Sequence, residues 1–265
     1  MGTLQNRTTE QGWQRMGVSN VLSTMTKVCE KHGEYEAREY KWGVAPCPDC
    51  WQEKLEAEHA EQRKKDEAER VQRRIQYLFD RAAIPPRFAD RSLSTFEAKL
   101  PGQQKALEVA RNYAATFDES AGTSLIFCGG VGSGKTHLAV GIARELIERQ
   151  RMAIFMSVMG AIRTVKDTYR RGSDVSETEA IENLIKPDLL ILDEVGVQFG
   201  SDTEKLILFE IINGRYENRR STILISNLAM DRLGDYLGER VIDRMREGGG
   251  KMVVFDWPSY RRQAA

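Results

Sequence analysis

Apolar positions are spread unevenly along the chain. From Gln52 to about Phe79 they are sparse until Val71, Ile75, Leu78 and Phe79, in a stretch without Gly or Pro that is rich in good helix formers. This pattern predicts a charged connecting helix that docks on a core only through its last turns. Acid-before-base pairs four apart, Glu61 with Lys65, Asp66 with Arg70 and Glu69 with Arg73, suit such an exposed helix. The prolines of "IPPRF" at 84–88 stop it, because they lack N–H donors and disfavour helix before them.

From Ser124 the pattern changes to alternating strand and helix. "SLIFC" is a short apolar strand, "GKTHLAVGIARELIERQ" an amphipathic helix and "AIFMS" a second strand. Helical text follows to Arg171, "DLLILDE" is a buried strand, and residues 202–219 are helical again. "TILISN" and "KMVVFDW" complete five strands. Such alternation predicts an α/β fold, a parallel sheet flanked by helices on both faces. The expected organisation is a mobile or docking segment over 1–27, a cysteine-bearing module over 28–51, the charged linker helix over 52–83, and a large domain over 84–265.

Composition adds little about partners. Lys plus Arg equals Asp plus Glu at 39 each, so any basic surface must be local. No stretch approaches the roughly 20 apolar residues of a membrane span, and the polar start lacks the apolar core of a signal peptide. A cytoplasmic protein with no membrane partner is the expectation. Thiols stay reduced there, so paired cysteines point to metal rather than disulfides. Cys128 ends an apolar run and is expected to be a buried small hydrophobe.

"GGVGSGKT" at 129–136 fits the phosphate-binding pattern G-x-x-x-x-G-K-[ST], with a strand before it and a helix after. The candidate nucleotide set is the loop Gly129, Gly130, Val131, Gly132, Ser133 and Gly134, followed by Lys135, Thr136 and His137. Its backbone N–H groups would wrap phosphates, Lys135 would reach the β/γ oxygens, and Thr136 would ligate Mg²⁺. At the end of "LLILDE", Asp193 can hold the same Mg²⁺ and Glu194 can polarise an attacking water, which argues for ATP hydrolysis. Asn227 ends the next strand, either as a turn residue or as a hydrogen-bonding partner of the γ-phosphate or the water. Arg240 and Arg244 share a helix face in "LGERVIDRMREGG". They make either surface ion pairs with Glu239 or Asp243 or a contact to a neighbour's phosphate.

Near the amino terminus, Cys29, His32, Cys47 and Cys50 follow C-x₂-H-x₁₄-C-x₂-C. Two close pairs joined by a loop suit tetrahedral structural zinc. Four protein ligands leave no open position for catalysis, and so small a module has too little core to fold without metal. The alternatives are free thiols with an exposed His, or a fourth ligand from elsewhere.

"IPPRF", "GGVGSGKTHLA", "LLILDEVG", "ILISN", "LGERVIDRM" and "FDWPSYR" together resemble the DnaC-type replicative helicase loaders, AAA+ ATPases that are also similar to IstB-type transposition helpers. The resemblance covers about residues 80–262. It implies that the "TILISN" strand lies between the strands ending at the P-loop and at Asp193. It also implies sensor roles for Asn227 and Arg261, an arginine finger in Arg244, and ATP at junctions between self-associated subunits. Single-stranded DNA would be met by "MGAIRTVKDTYRRG", where Arg163, Lys166 and Arg170 are expected on one basic helix face, with Tyr169 and Arg171 beside it; a plain solvated face is the alternative. The implied function is ATP-dependent loading of a hexameric, DnaB-type helicase bound through the amino-terminal region. The rival readings are a transposition helper ATPase, a small-molecule kinase, and a zinc-dependent adaptor locked by nucleotide.

Overall fold

The computed structural model describes residues 21–196 and 201–260, in two compact units that meet in sequence at Arg70 and Val71. The segment expected to be mobile or docking, 1–27, lies outside the described residues as far as position 20. Its end is a strand. β1 (Ser23–Cys29) pairs antiparallel with β2 (Gly33–Tyr40), which pairs with β3 (Gly43–Val44). Side chains of β1 are exposed or half-buried throughout, so it carries no alternating apolar signal. Ala37, Tyr40, Ala45 and Cys47 form the small buried centre of this unit.

Helix α1 (Pro48–Arg81) also begins before the expected Gln52. Proline is favoured in a first helical turn because the N–H it lacks would have no helical partner. Cys50 therefore sits on the helix rather than in a loop. Along α1, Lys65 pairs with Glu61 at 2.7 Å as the spacing predicts. Arg70 instead meets Glu67 at 2.9 Å, while Asp66 accepts from Gln62. Only Leu78 of α1 is buried. At the helix end, the Ala82 carbonyl accepts from the Phe155 amide at 2.8 Å.

The second unit is built on a five-stranded parallel sheet of β4 (Leu125–Gly129), β5 (Ala153–Ser157), β6 (Leu189–Val195), β7 (Ser221–Ser226) and β8 (Lys251–Phe255). Strand order is β5-β6-β7-β4-β8, so β7 does lie between the strands ending at the P-loop and at Asp193. Period-2 alternation sends Leu125, Phe127, Ile191 and Ile225 to one face and Ile126, Leu190, Leu192 and Leu224 to the other. Helices α2 (Pro101–Ala115) and α3 (Lys135–Glu148) cover the first face. The second is covered by α4 (Val158–Lys166), α5 (Glu177–Ile185) and α6 (Asp202–Glu217), with α7 (Met230–Leu237) and α8 (Glu239–Arg246). Cys128 is buried, as expected. The sequence pattern singled out neither α2 nor α5.

Candidate nucleotide site and metal centre

β4 delivers the chain to Gly129 and α3 carries it away from Gly134, so the loop between must reverse within a few residues. Gly129 (φ 132°) and Gly134 (φ 97°) adopt backbone conformations that a side chain strains. A Cβ on Gly129 would collide with the Phe255 carbonyl, and one on Gly134 would come within 2.6 Å of the Phe96 ring. The amides of Lys135, Thr136 and His137 open α3 without intrahelical acceptors, which leaves their donors for an anion. Lys135 is almost fully buried. Its ammonium donates to the carbonyls of Gly129 at 2.8 Å and Gly130 at 2.7 Å.

Thr136 Oγ1 donates to Asp193 Oδ2 at 2.9 Å, and the Glu194 amide donates to Asp193 Oδ1 at 2.7 Å. Burial pushes the Asp193 carboxyl above its usual range, although these bonds and Lys135 favour the charged form. A desolvated carboxylate against a hydroxyl is an oxygen donor set that suits Mg²⁺. β6 pairs Leu192 with Leu224 and then Val195 with Ser226, so one extra residue is bulged out. Glu194 has φ 63° there, a sparsely populated conformation for a non-glycine residue, and is exposed. Asn227 follows Ser226, whose strand neighbours are Cys128 and Val195, so it leaves the sheet beside the P-loop strand and the bulge.

His137 belongs to the expected nucleotide set, but its ring faces the other way. Nε2 lies 2.9 Å from the Ser92 carbonyl and 3.1 Å from Thr95 Oγ1. The Thr95 hydroxyl already donates to Ser92 O, so the proton in the His137–Thr95 contact belongs to Nε2. Burial lowers the His137 pKa and so favours the neutral ring. Phe96 stands edge-on to it at 5.3 Å. The imidazole thus anchors the 92–96 segment against the loop.

Arg240 is exposed on α8. Arg244 donates to Asn213 Oδ1 and lies over the rings of Tyr216 at 5.2 Å and Phe209 at 5.8 Å. Among the described residues neither pairs with Glu239 or Asp243. Arg261 lies outside the described residues.

The expected basic face does not form as drawn. α4 ends at Lys166, and a short 3₁₀ turn over Asp167–Tyr169 carries Arg170 off the helix. Lys166 pairs with Glu204 at 2.7 Å and Arg170 with Asp167 at 2.9 Å, while Tyr169 donates to Glu177. Arg163 remains exposed on the helix and Arg171 beyond it. Asp167 and Glu204 thus pair with two of the three cations that the resemblance assigned to single-stranded DNA.

In the first unit the metal-ligating atoms of Cys29, His32, Cys47 and Cys50 all lie within 4.8 Å of one another. His32 Nδ1 is 3.7, 3.6 and 3.3 Å from the sulfurs of Cys29, Cys47 and Cys50, and Cys29 and Cys50 are 3.5 Å apart. A zinc tetrahedron with arms of about 2.3 Å to sulfur and 2.0–2.1 Å to nitrogen has edges of about 3.5–3.8 Å. The cluster fits. The amides of Lys31 and His32 hold the Cys29 thiol down at about 6. Its bond to Cys29 is the main reason that Cys50 rises to about 11. Glu53, which the spacing does not reveal, accepts from His32 Nε2 at 3.2 Å and pairs with Lys31. That leaves the Nδ1 lone pair facing the thiols.

Known proteins place the chain. The family described as IstB-like ATP binding protein matches residues 56–263. The replicative helicase loader DnaC of Escherichia coli K12 is 38% identical over 188 residues, 71% of this chain and 76% of that protein. DnaC of Buchnera aphidicola subsp. Schizaphis graminum is 36% identical over 189 residues, again 71% and 76%. A crystal structure of the DnaC helicase loader superposes with TM-score 0.58 and 27% identity, covering 64% of this chain and 99% of that one. The chain belongs to the IstB-like ATP-binding family, with an AAA+ fold and DnaC-type helicase loaders among its relatives.

Proposed function

We propose that this chain is an ATP-hydrolysing loader that engages a hexameric, DnaB-type replicative helicase through its amino-terminal region and single-stranded DNA through its second unit. A helicase-loader role in DNA replication is supported by its relatives. The observation that carries the finer reading is the meeting of Lys135, Thr136 and Asp193 beside a bulged Glu194, in a chain 38% identical to a helicase loader. No helix among the described residues is long and apolar enough to cross a membrane. Likeness to the DnaC loaders supports a cytoplasmic place for the chain.

In this reading the loop amides and Lys135 bind the phosphates of ATP, and Thr136 and Asp193 hold Mg²⁺, which supplies counter-charge to the phosphate oxygens. Glu194 takes the proton of the attacking water and Asn227 orients that water. Self-association would bring Arg244 to a neighbour's γ-phosphate, releasing its contacts to Asn213 and Tyr216, while Arg261 acts on its own site. Zinc held by Cys29, His32, Cys47 and Cys50 organises a docking surface. The family match alone equally suits a transposition helper, whose partner would be a transposase.

The test is loading of the host's hexameric helicase onto circular single-stranded DNA by the full chain with ATP. Loading that Glu194→Gln abolishes is expected. Absence of any helicase binding by the zinc-loaded wild type would overturn the loader reading.

A further inference from the structure

A loop that turns its N–H groups toward phosphate must turn carbonyls outward, because each peptide unit carries both. Those outward carbonyls need donors of their own. Lys135 serves Gly129 and Gly130. The Ser133 hydroxyl also donates to the Gly130 carbonyl at 2.7 Å, and two further bonds come from residues 257 and 260. The Tyr260 amide donates to the Gly132 carbonyl at 3.0 Å, and the indole Nε1–H of Trp257 donates to the Ser133 carbonyl at 2.9 Å. On the same side, the Gly130 amide donates to Phe255 O at 3.2 Å.

Trp257 is held closely. It is 8% exposed, and its ring stands 4.8 Å from that of Phe255. A Cβ on Gly102, at the start of α2, would come within 3.0 Å of the Trp257 ring. The indole is thus wedged between α2 and the loop, with its one polar atom spent on a loop carbonyl. Pro258 follows, without an amide to compete.

We infer that the segment from Phe255 to Tyr260 is a strap that holds the P-loop in its phosphate-accepting form, with Trp257 as a positioning residue acting through the Ser133 carbonyl. Without the indole donor, the peptide between Ser133 and Gly134 is free to rotate, and the Gly134 amide leaves the phosphate side. This inference rests on the nucleotide-site reading above.

The experiment uses the full-length protein and Trp257→Phe, which keeps an aromatic ring against Gly102 and Phe255 but removes the donor. ATP and ADP affinities, the KM and kcat of ATP turnover, and the thermal midpoint are measured together. Loss of one such bond is expected to weaken both nucleotides by about 3- to 10-fold. KM should rise by more than kcat falls, with a midpoint lowered by no more than about 4 °C. Gly102→Ala, whose Cβ crowds the ring from the α2 side and displaces the indole from its bond to Ser133, should shift affinity in the same direction. Wild-type affinity and KM in Trp257→Phe, or a lowered midpoint with unaltered affinity of the folded fraction, would overturn the strap alone. Failure of the wild type to bind ATP would overturn the nucleotide site and the strap with it.

Discussion

Thr136 and Asp193 meet across a 2.9 Å hydrogen bond although 57 positions separate them. The bond exists because β4, β7 and β6 lie side by side and parallel, which puts the start of α3 and the end of β6 at the same carboxyl end of the sheet. Asp193 is kept there at a cost, since burial raises its pKa. A carboxyl whose folded pKa lies above its unfolded value destabilises the fold at pH above that value, and the penalty disappears as pH falls and the group protonates. Asp193→Asn should therefore raise the nucleotide-free thermal midpoint by about 1–3 °C at neutral pH. The gain should vanish in acid, where both proteins carry a neutral group. Mg²⁺-dependent ATP turnover should be lost at every pH. Melting curves across pH, with turnover assays, check all three.

Glu194 owes its exposure to the bulge rather than to its place in the strand pattern. Glu194→Gln preserves size and backbone but cannot take a proton. Turnover is expected to fall at least about 100-fold, with ATP affinity changed less than about 2-fold. Single-turnover kinetics alongside nucleotide titration separate the two.

Glu53 is the group behind the metal cluster. Its bond to His32 Nε2 orients the imidazole, so Glu53→Ala should weaken zinc binding by about 10- to 100-fold without removing a ligand. Chelation should raise amide exchange over residues 23–50 and leave the sheet of the second unit protected. Competition with a chromophoric chelator measures the first effect and hydrogen exchange the second.

Arg215 is fully buried and spends its guanidinium on the protein. It donates to the carbonyls of Leu184 and Ile185 at 2.9 Å, of Pro187 at 3.0 Å and of Ser221, and to Thr222 Oγ1 at 3.0 Å. Burial lowers it to about 9, so it is still charged at neutral pH. Arg215→Ala leaves several buried acceptors without their donor. A loss of at least about 3 kcal/mol is expected, or about 6–12 °C in midpoint. Thermal melting decides it.

Arg163 is the clean probe of the proposed DNA contact, because Lys166 and Arg170 are already paired. Arg163→Glu should weaken single-strand binding and reduce the salt dependence by about one counterion. Lys166→Glu should instead set two acids together at Glu204 and lower stability. Binding isotherms at several salt concentrations distinguish the cases.

The sequence by itself determined the features that are local. Alternation of apolar runs after Ser124 specified a parallel sheet with helices on both sides, because strand and helix periods are written within each segment. "GGVGSGKT" specified the phosphate loop, since only glycine accepts the backbone angles at Gly129 and Gly134. The spacing of Cys29, His32, Cys47 and Cys50 pointed to a four-ligand cluster, and folding brings their ligand atoms within 4.8 Å of one another. Resemblance, rather than periodicity, supplied the place of β7.

Tertiary structure decided what depends on residues far apart in the chain. Strand β1 is invisible in the pattern because neither of its faces is deeply buried. The bulge at Glu194 arises from register against β7, not from its neighbours in sequence. His137 turns to Ser92, Lys166 to Glu204 and Trp257 to Ser133 because folding brings a partner of matching polarity within reach. Local propensity selects elements, but hydrogen-bond partners are chosen by packing, since a polar group leaving water must find whichever donor or acceptor the fold places beside it.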